Sequence, residues 1–240
     1  MVNNNLNLFD GLNIIIPLHN KENSIQNTIS KIYEKFQNEN IFIIVIENKS
    51  TDNSYQKAKQ CLEKLFPDNN LLLISDIGKG RAIKEGLNFT KYKWTLLTSA
   101  DLPFEFSDID LAIQDNLNHD LYLGSKSHPQ SKIERELSRI FFSNFYYLWR
   151  KLILGLNFKD TQGSHIIKND ILQKIKPYLK SNDFFIDTEI VYFASLFTNK
   201  IIEVPIVLSS TEVDGSTVKP FKDGFKMLIQ TMGLRQRKIS

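Results

Sequence analysis

The run from Trp94 to Thr98, followed at once by Ser99, Ala100 and Asp101, constrains this chain more than any other stretch. It is short, apolar and rich in β-formers, and Pro103 closes the polar segment after it, so it predicts a buried strand that delivers a carboxylate to its open end. In an open α/β sheet, ligands bind in the crevice beyond the carboxyl ends of the strands, which puts Asp101 where a metal ion or a phosphate is handled. The alternative is that Asp101 caps a short helix or turn begun at Leu102. Three earlier runs repeat the pattern: Leu12 to Pro17 (LNIIIP), Ile41 to Ile46 (IFIIVI) and Leu71 to Ile74 each empty into polar residues.

Helical spacing fills the intervals. Ser24 is placed to cap a helix carrying Ile25, Ile29, Ile32 and Phe36; Tyr55 to Phe66 is a second helix stopped by Pro67; Ala82 to Phe89 is a third. The resulting β-α-β-α-β-α-β alternation specifies a mostly parallel, Rossmann-like sheet flanked by helices on both faces. Beyond it the pattern is less regular. Asp120 to Gly124 predicts a strand, Phe184 to Phe197 a helix, and Ile201 to Leu208 a strand whose Pro205 marks a sheet edge. The helix predicted over Ser138 to Leu156 carries an apolar stripe of Phe141, Phe142, Phe145, Tyr146, Trp149, Leu152 and Ile153. That stripe is expected to pack on the sheet, with Arg150 and Lys151 on a solvated edge; contact with a membrane surface or a lipid chain is the alternative. A basic tail runs from Lys219 to Lys238.

Composition excludes several classes. A chain of 240 residues, 42% hydrophobic and 24% charged, suits a single α/β domain. A net charge of +3 is too slight for a nucleic-acid surface, and neither zinc-finger nor RNP spacing occurs, so no nucleic-acid partner is expected. Cys61 is the one cysteine; it rules out an internal disulfide, fits a reducing compartment and reads as part of a buried helix face. The opening MVNNNLNLFDG lacks a basic region followed by an apolar one, and no later run approaches the ~18 apolar residues of a spanning helix. A cytoplasmic protein is expected, touching a membrane at most peripherally from its cytosolic face.

Four strand-end loops carry the chemistry: Pro17 to Asn20, Glu47 to Asp52, Asp76 to Arg81, and Ser99 to Asp101. A parallel sheet gathers them on one rim. Gly78-Lys79-Gly80-Arg81 at a helix start offers backbone N–H groups, a helix dipole and two cations to a diphosphate, although the spacing is not that of a P-loop and a tight turn is the plainer reading. Asp101 beside it is suited to hold Mg²⁺ or Mn²⁺ through oxygen, the ion being shared with the diphosphate.

The order of these motifs resembles the family 2 nucleotide-sugar glycosyltransferases of the GT-A fold, and within them the dolichyl- or polyprenyl-phosphate sugar transferases. IIIPLHNKENSI is similar to that family's strand-Pro-x-Tyr-Asn-Glu opening, VIENKSTDNS to its Asp-Asp-Gly-Ser-Thr-Asp loop, GKGRAIKEGL to its Gly-Lys-Gly loop, and TSADLPF stands at its Asp-Ala-Asp. Downstream, LYLGSKSH, Arg135 and Arg139, Asp160-Thr161-Gln162, FFIDTEIVYFA, IIEVPIVL and TEVDGSTVKPFKDGFKML resemble the acceptor half of dolichyl-phosphate glucosyltransferases. The chain departs from the pattern at Glu47, Asn48 and Lys49, at Ser99 in place of the first aspartate, at Lys21 where an acidic residue is usual, and at Gln162-Gly163-Ser164.

The resemblance implies one GT-A domain over 1–240, with a nucleotide-sugar half over 11–115, an acceptor half over 116–210 and a basic extension over 211–240. It implies an inverting displacement that moves a hexose from a nucleotide diphosphate sugar to a polyprenyl phosphate, with Mg²⁺ or Mn²⁺ on Asp101. Pro17, His19, Asn20, Glu47, Asn48, Ser50, Asp52, Gly78, Lys79, Gly80 and Ala100 would bind the nucleotide, and Lys126, Arg135, Arg139 and Gln162 the acceptor. Asp101, Asp160, Asp187 and Glu189 are the catalytic candidates, the last two as general base should the acceptor be a hydroxyl. Arg135 and Arg139, four apart on a helix, suit a phosphate or pair with Glu134 and Glu136. Two alternatives stay open: a soluble or protein hydroxyl acceptor, and a sugar-nucleotide binder without catalysis.

Overall fold

The structure is a computed structural model that describes residues 11–36, 40–102, 106–132, 137–207 and 220–237. Its strands are β1 (Leu12–Leu18), β2 (Ile41–Glu47), β3 (Asn70–Ile74), β4 (Trp94–Leu97), β5 (Leu121–Ser125), β6 (His165–Lys168) and β7 (Ile201–Pro205). The α-helices are α1 (Ile25–Lys35), α2 (Ser54–Leu65), α3 (Lys79–Gly86), α4 (Ser107–Gln114), α5 (Leu137–Leu154), α6 (Asn169–Ile175), α7 (Ile186–Phe197) and α8 (Pro220–Arg235). The seven strands form one sheet in the order β3-β2-β1-β4-β6-β5-β7, and only β6 runs antiparallel to its neighbours. Pro205 does lie on an edge strand, β7, where its missing N–H costs no ladder bond.

β1 and β2 are buried on both faces, which is why their sequences are continuous apolar runs instead of alternating ones. Leu12, Ile14, Ile16 and Leu18 turn to one core with Ile43, Val45 and the apolar faces of α1 and α2. Ile15 turns to the other core with Phe42, Ile44, Ile46 and residues of α3, α6 and α7. Each such side chain contributes about 1.5–3 kcal/mol by leaving water. α3 lies unusually close to the sheet: a Cβ at Gly86 would stand 3.0 Å from both Ile15 Cγ2 and Ile46 Cδ1. Cys61 is a buried residue of α2, as its neighbours predict.

Several elements differ from expectation. α4, β6 and α6 lie in stretches whose pattern predicts no element, because HIIK is only four residues long and SDIDLAIQ carries two aspartates in its first turn. The basic tail contains α8, opened by Pro220, a residue preorganised for the first helical turn. Ser24 occupies the N-cap of α1 but makes no capping bond; its hydroxyl is buried without a partner. The apolar stripe of α5 does not pack on the sheet as a whole: Phe141 is 68% exposed and Leu152 74%, and Phe142, Phe145 and Leu148 are also exposed, while Tyr146, Trp149 and Ile153 are partly buried. Arg150, expected on a solvated edge, is instead 1% exposed. α8 supports α5 from one side, with Trp149 Nε1 donating to the Leu228 carbonyl at 3.2 Å. No helix among the described residues is long and apolar enough to cross a membrane.

Asn13 is the one polar side chain inside β1, and it is fully buried. Its Nδ2 donates to the carbonyls of Tyr92 and Trp94 at 3.0 and 2.9 Å, and its Oδ1 accepts the N–H groups of Lys91 and Tyr92 at 2.8 and 3.1 Å. These bonds hold the segment entering β4 against β1. Because Asn13→Ala strips partners from buried backbone groups, it should lower the free energy of unfolding by about 3 kcal/mol, read as a lower urea midpoint at unchanged m-value.

Candidate active site

In an open sheet the ligand crevice opens where the strand order reverses. Here that place is between β1 and β4, since β2 and β3 lie on one side of β1 and β4 on the other. Lys21, just beyond β1, spans it: its Nζ is 3.1 Å from Asp101 Oδ2, with the two side chains 15% and 18% exposed. Ser99 donates its hydroxyl to Asp101 Oδ1 at 2.6 Å. Asp101 sits in a turn closed by the Leu102 N–H on the Ser99 carbonyl, and Leu102 adopts φ 40°, the left-handed region that a leucine rarely enters. Among the described residues the next helix is α4, which begins at Ser107 and has Phe106 at its N-cap.

The loops after β1 and β2 are stitched to each other. His19 Nδ1 donates to the Asn48 carbonyl at 2.8 Å, which fixes its proton on that nitrogen. Asn20 N–H donates to Ser50 Oγ at 3.0 Å, and Thr51 N–H returns a bond to Asn20 Oδ1 at 2.8 Å. Asp52 accepts the N–H groups of Glu22 and Ser54 and the Ser54 hydroxyl. Burial alone would raise the Asp52 pKa; the Ser54 and Glu22 bonds outweigh it and hold the carboxyl below its ordinary value. Glu47 and Asn48 are buried: the Glu47 carboxylate accepts the Ser50 N–H, while the Asn48 amide donates to the Ile46 carbonyl and accepts the Ser75 hydroxyl. Pro17 stays in register opposite Ile46, and the Ala100 carbonyl accepts the Thr28 hydroxyl at 2.8 Å. These residues shape the rim more than they protrude from it.

The glycine loop behaves differently from expectation. The N–H groups of Gly80 and Arg81 both point to the Asn182 carbonyl, at 3.1 and 3.4 Å. A Cβ on Gly78, at φ 137°, would run into that same carbonyl. Two of the amides expected to face a diphosphate therefore dock α3 onto the segment before α7. Lys79 completes the joint, its Nζ 2.6 Å from Oδ2 of Asp187, which is 1% exposed. Glu189 is fully enclosed: it accepts the N–H groups of Lys180 and Ser181 at 2.9 Å, the Ser181 hydroxyl at 2.7 Å, and the guanidinium of Arg237. That carboxylate holds a turn together and has no oxygen to spare as a base.

A second cavity, of about 120 Å³, lies between the end of β5, α5 and the segment before β6, with Lys126, Tyr146, Arg150, Asp160 and Gln162 in its wall. Asp160 bridges backbone groups, accepting Lys126 N–H at 3.0 Å and Gln162 N–H at 2.8 Å. Gln162 Nε2 reaches Thr188 Oγ1 at 3.4 Å. Sequence reasoning missed Arg150. Its Nη2 donates to the Lys159 carbonyl at 3.2 Å and its guanidinium lies 4.8 Å from the Tyr146 ring centroid, but Nε and Nη1 are buried without hydrogen-bond partners. Burial pushes the Arg150 pKa down, opposed by Tyr146, Asp160 and Glu203. Its place in an aromatic helix was the available signal. Arg139 lies in the first turn of α5, and Arg135 lies outside the described residues.

The residues expected to bind a divalent ion do not fit one held by the protein. Among the described residues no group of three or more His, Cys, Asp or Glu side chains is placed to hold a metal. Mg²⁺ and Mn²⁺ prefer about six oxygen ligands. The crevice supplies the Asp101 carboxylate, whose two oxygens already accept an ammonium and a hydroxyl.

An open sheet with a polar rim at the reversal of strand order is the architecture of a nucleotide-handling α/β protein. This chain belongs to Glycosyl transferase family 2, whose model matches residues 13–174. It is 27% identical over 246 residues to a dolichyl-phosphate beta-glucosyltransferase of Dictyostelium discoideum, covering 94% of this chain and 74% of the relative. The protein of the same name from Saccharomyces cerevisiae is 28% identical, covering 90% and 71%, and that of Homo sapiens 23% identical, covering 94% and 75%. Among solved structures, Mycobacterium tuberculosis glucosyl-3-phosphoglycerate synthase in complex with Mg²⁺ and UDP superposes with a TM-score of 0.66 at 13% identity, covering 93% of this chain and 79% of that one. Its complex with Mn²⁺, UDP-glucose and glycerol 3-phosphate gives 0.66 at 14%, covering 93% and 78%. The fold is GT-A.

Glu189→Ala separates structural from chemical carboxylates. The loss of its bonds to the Lys180 and Ser181 backbone should cost about 3 kcal/mol of stability in chemical denaturation, whatever substrate is present.

Proposed function

We propose that this chain is an inverting glycosyltransferase that moves a hexose, glucose on the pattern of its named relatives, from a nucleotide diphosphate sugar to a polyprenyl phosphate of the dolichyl type. One observation carries the acceptor assignment: α5 presents opposite chemistries on its two sides. Inward it places the incompletely bonded guanidinium of Arg150 in the polar cavity with Lys126 and Gln162. Outward it exposes Phe141, Phe145, Leu148 and Leu152, with Phe225, Ile229 and Met232 of α8 also exposed. A buried guanidinium with two unmet donors is costly until an anion completes it, and a phosphate supplies the acceptors. The exposed face suits the prenyl chain and the surface of the bilayer that holds it, which supports a peripheral seat on a membrane, on its cytosolic side in this reading.

The donor binds in the β1–β4 crevice, its diphosphate toward Lys79 and the start of α3, its base and ribose toward the stitched loops after β1 and β2. The acceptor phosphate oxygen, already anionic at neutral pH, attacks the anomeric carbon; that carbon–oxygen bond forms as the bond to the diphosphate breaks, and the diphosphate leaves with the electron pair. No proton has to be removed, so no general base is required. The engagement of both candidate bases supports this reading: Asp187 is ion-paired with Lys79 and Glu189 is saturated. A hydroxyl acceptor would need one of them free. Mg²⁺ or Mn²⁺ accompanies UDP in complexes of the solved neighbours, whereas in this chain both oxygens of Asp101 are already engaged by Lys21 and Ser99.

Thermal shift against a panel of nucleotide sugars identifies the donor, because ligand binding raises apparent stability by mass action. Nucleotide release should then follow addition of a short polyprenyl phosphate and not of hydroxyl acceptors; turnover confined to hydroxyl acceptors, or nucleotide binding with no turnover on any acceptor, refutes the assignment. Arg150→Met should raise KM for the polyprenyl phosphate at least tenfold while leaving nucleotide affinity unchanged, as expected for one charge-assisted contact. Replacing Phe141 and Leu152 with serine should weaken flotation with lipid vesicles without lowering the melting temperature, since both side chains are already in water.

A further inference from the structure

Lys21 and Ser99 are two of the positions at which this chain departs from the pattern it resembles, and both side chains bond Asp101. Lys21 is fixed at both ends. Its backbone N–H donates to Ser54 Oγ at 2.7 Å, tying it to the start of α2, and its Nζ lies against Asp101 Oδ2. Both side chains are mostly withdrawn from water, so the pair is less screened than a surface one. An ion at Asp101 would have to share an oxygen with an ammonium, against like-charge repulsion, and among the described residues no group of three or more His, Cys, Asp or Glu side chains is placed to hold it. The place where positive charge is wanted already holds one.

We propose that the Lys21 ammonium, seated on Asp101 at the β1–β4 crevice, does the work of a divalent cation on the donor's diphosphate, so that this protein binds its nucleotide and transfers sugar without metal. The inference rests on the donor-site reading given above and deepens it. An ammonium is a compact point charge with three N–H donors. Held by Asp101, it turns that charge toward the diphosphate oxygens, whose negative charge grows as the bond to the anomeric carbon breaks. The proton stays on nitrogen throughout. Asp101 acts as a positioning residue: it aims the ammonium, and Ser99 holds the carboxylate from its other oxygen.

The test is calorimetric titration of the intact protein with UDP and with GDP, in EDTA and again in excess Mn²⁺. The expected result is binding of one nucleotide with the same affinity in both buffers. Lys21→Met should weaken that binding roughly 10- to 100-fold in EDTA, the loss of one charge-assisted contact, while Lys21→Arg, which keeps the charge, retains most of it. The double variant Lys21→Glu/Ser99→Asp, which replaces the ammonium with carboxylates, should bind only when Mn²⁺ is present. A wild-type affinity that rises tenfold or more with Mn²⁺ overturns the proposal, as does full affinity in Lys21→Met, and either result leaves the glycosyltransferase reading standing. Failure of both nucleotides to bind in either buffer instead sinks the donor-site reading itself, and this inference with it. Should the methionine variant not fold, the wild-type comparison and the double variant decide alone.

Discussion

Everything in this molecule hangs on β1 being hydrogen-bonded on both sides. Its seven residues pair along their full length with β2, and four of them pair with β4 on the opposite edge. Such a strand is cut off from water at both faces and both edges, so its side chains must be apolar and its one exception, Asn13, must be fully bonded. The two neighbours are reached by connections that run away from each other, and the backbone cannot close the space left at the strand's carboxyl end. The burial that makes β1 stable therefore creates the crevice.

A polar network satisfied largely from within lines that crevice. Asn20, Asp52 and Ser50 exchange bonds between two loops, Glu47 and Asn48 turn back on their own segment, and the glycine loop is fastened to the Asn182 carbonyl. Loops held in this way do not have to be ordered when a ligand arrives, so the entropy of ordering falls on folding and not on binding. The same bonding narrows what the rim can do chemically: a carboxylate saturated by backbone amides, as in Glu189, is a strut and not a proton acceptor.

The amino-acid sequence displays the first half of the fold plainly because its strands are buried on both faces and its helices keep a 3.6-residue period. Where an element is short, as in HIIK of β6, neither period has room to repeat, and the strand that runs antiparallel to both its neighbours is invisible. The rim is legible as a set of loops, since topology alone gathers strand ends. Its wiring is not: whether Asp101 meets a metal or a lysine depends on a contact between residues 80 positions apart, which no local pattern encodes. The stripe on α5 misleads for a related reason. Periodicity shows that a helix has an apolar side and is silent about what that side faces.

Arg150 and Phe145 show how much one helix can decide. Five positions apart on α5, they lie on different sides of it, the arginine enclosed and the phenylalanine about half in water. An arrangement chosen for stability alone would reverse them, since burying an incompletely bonded guanidinium costs free energy and exposing an aromatic ring forgoes it. Both costs fall on the same element, and both are relieved together by a ligand with an anionic head and an apolar tail. Proteins carry such unfavourable placements where function demands them. The two-sided strain of α5 is thus the strongest physical reason to read the acceptor as an amphiphilic phosphate: a small polar acceptor would satisfy the arginine and leave the aromatic face unexplained.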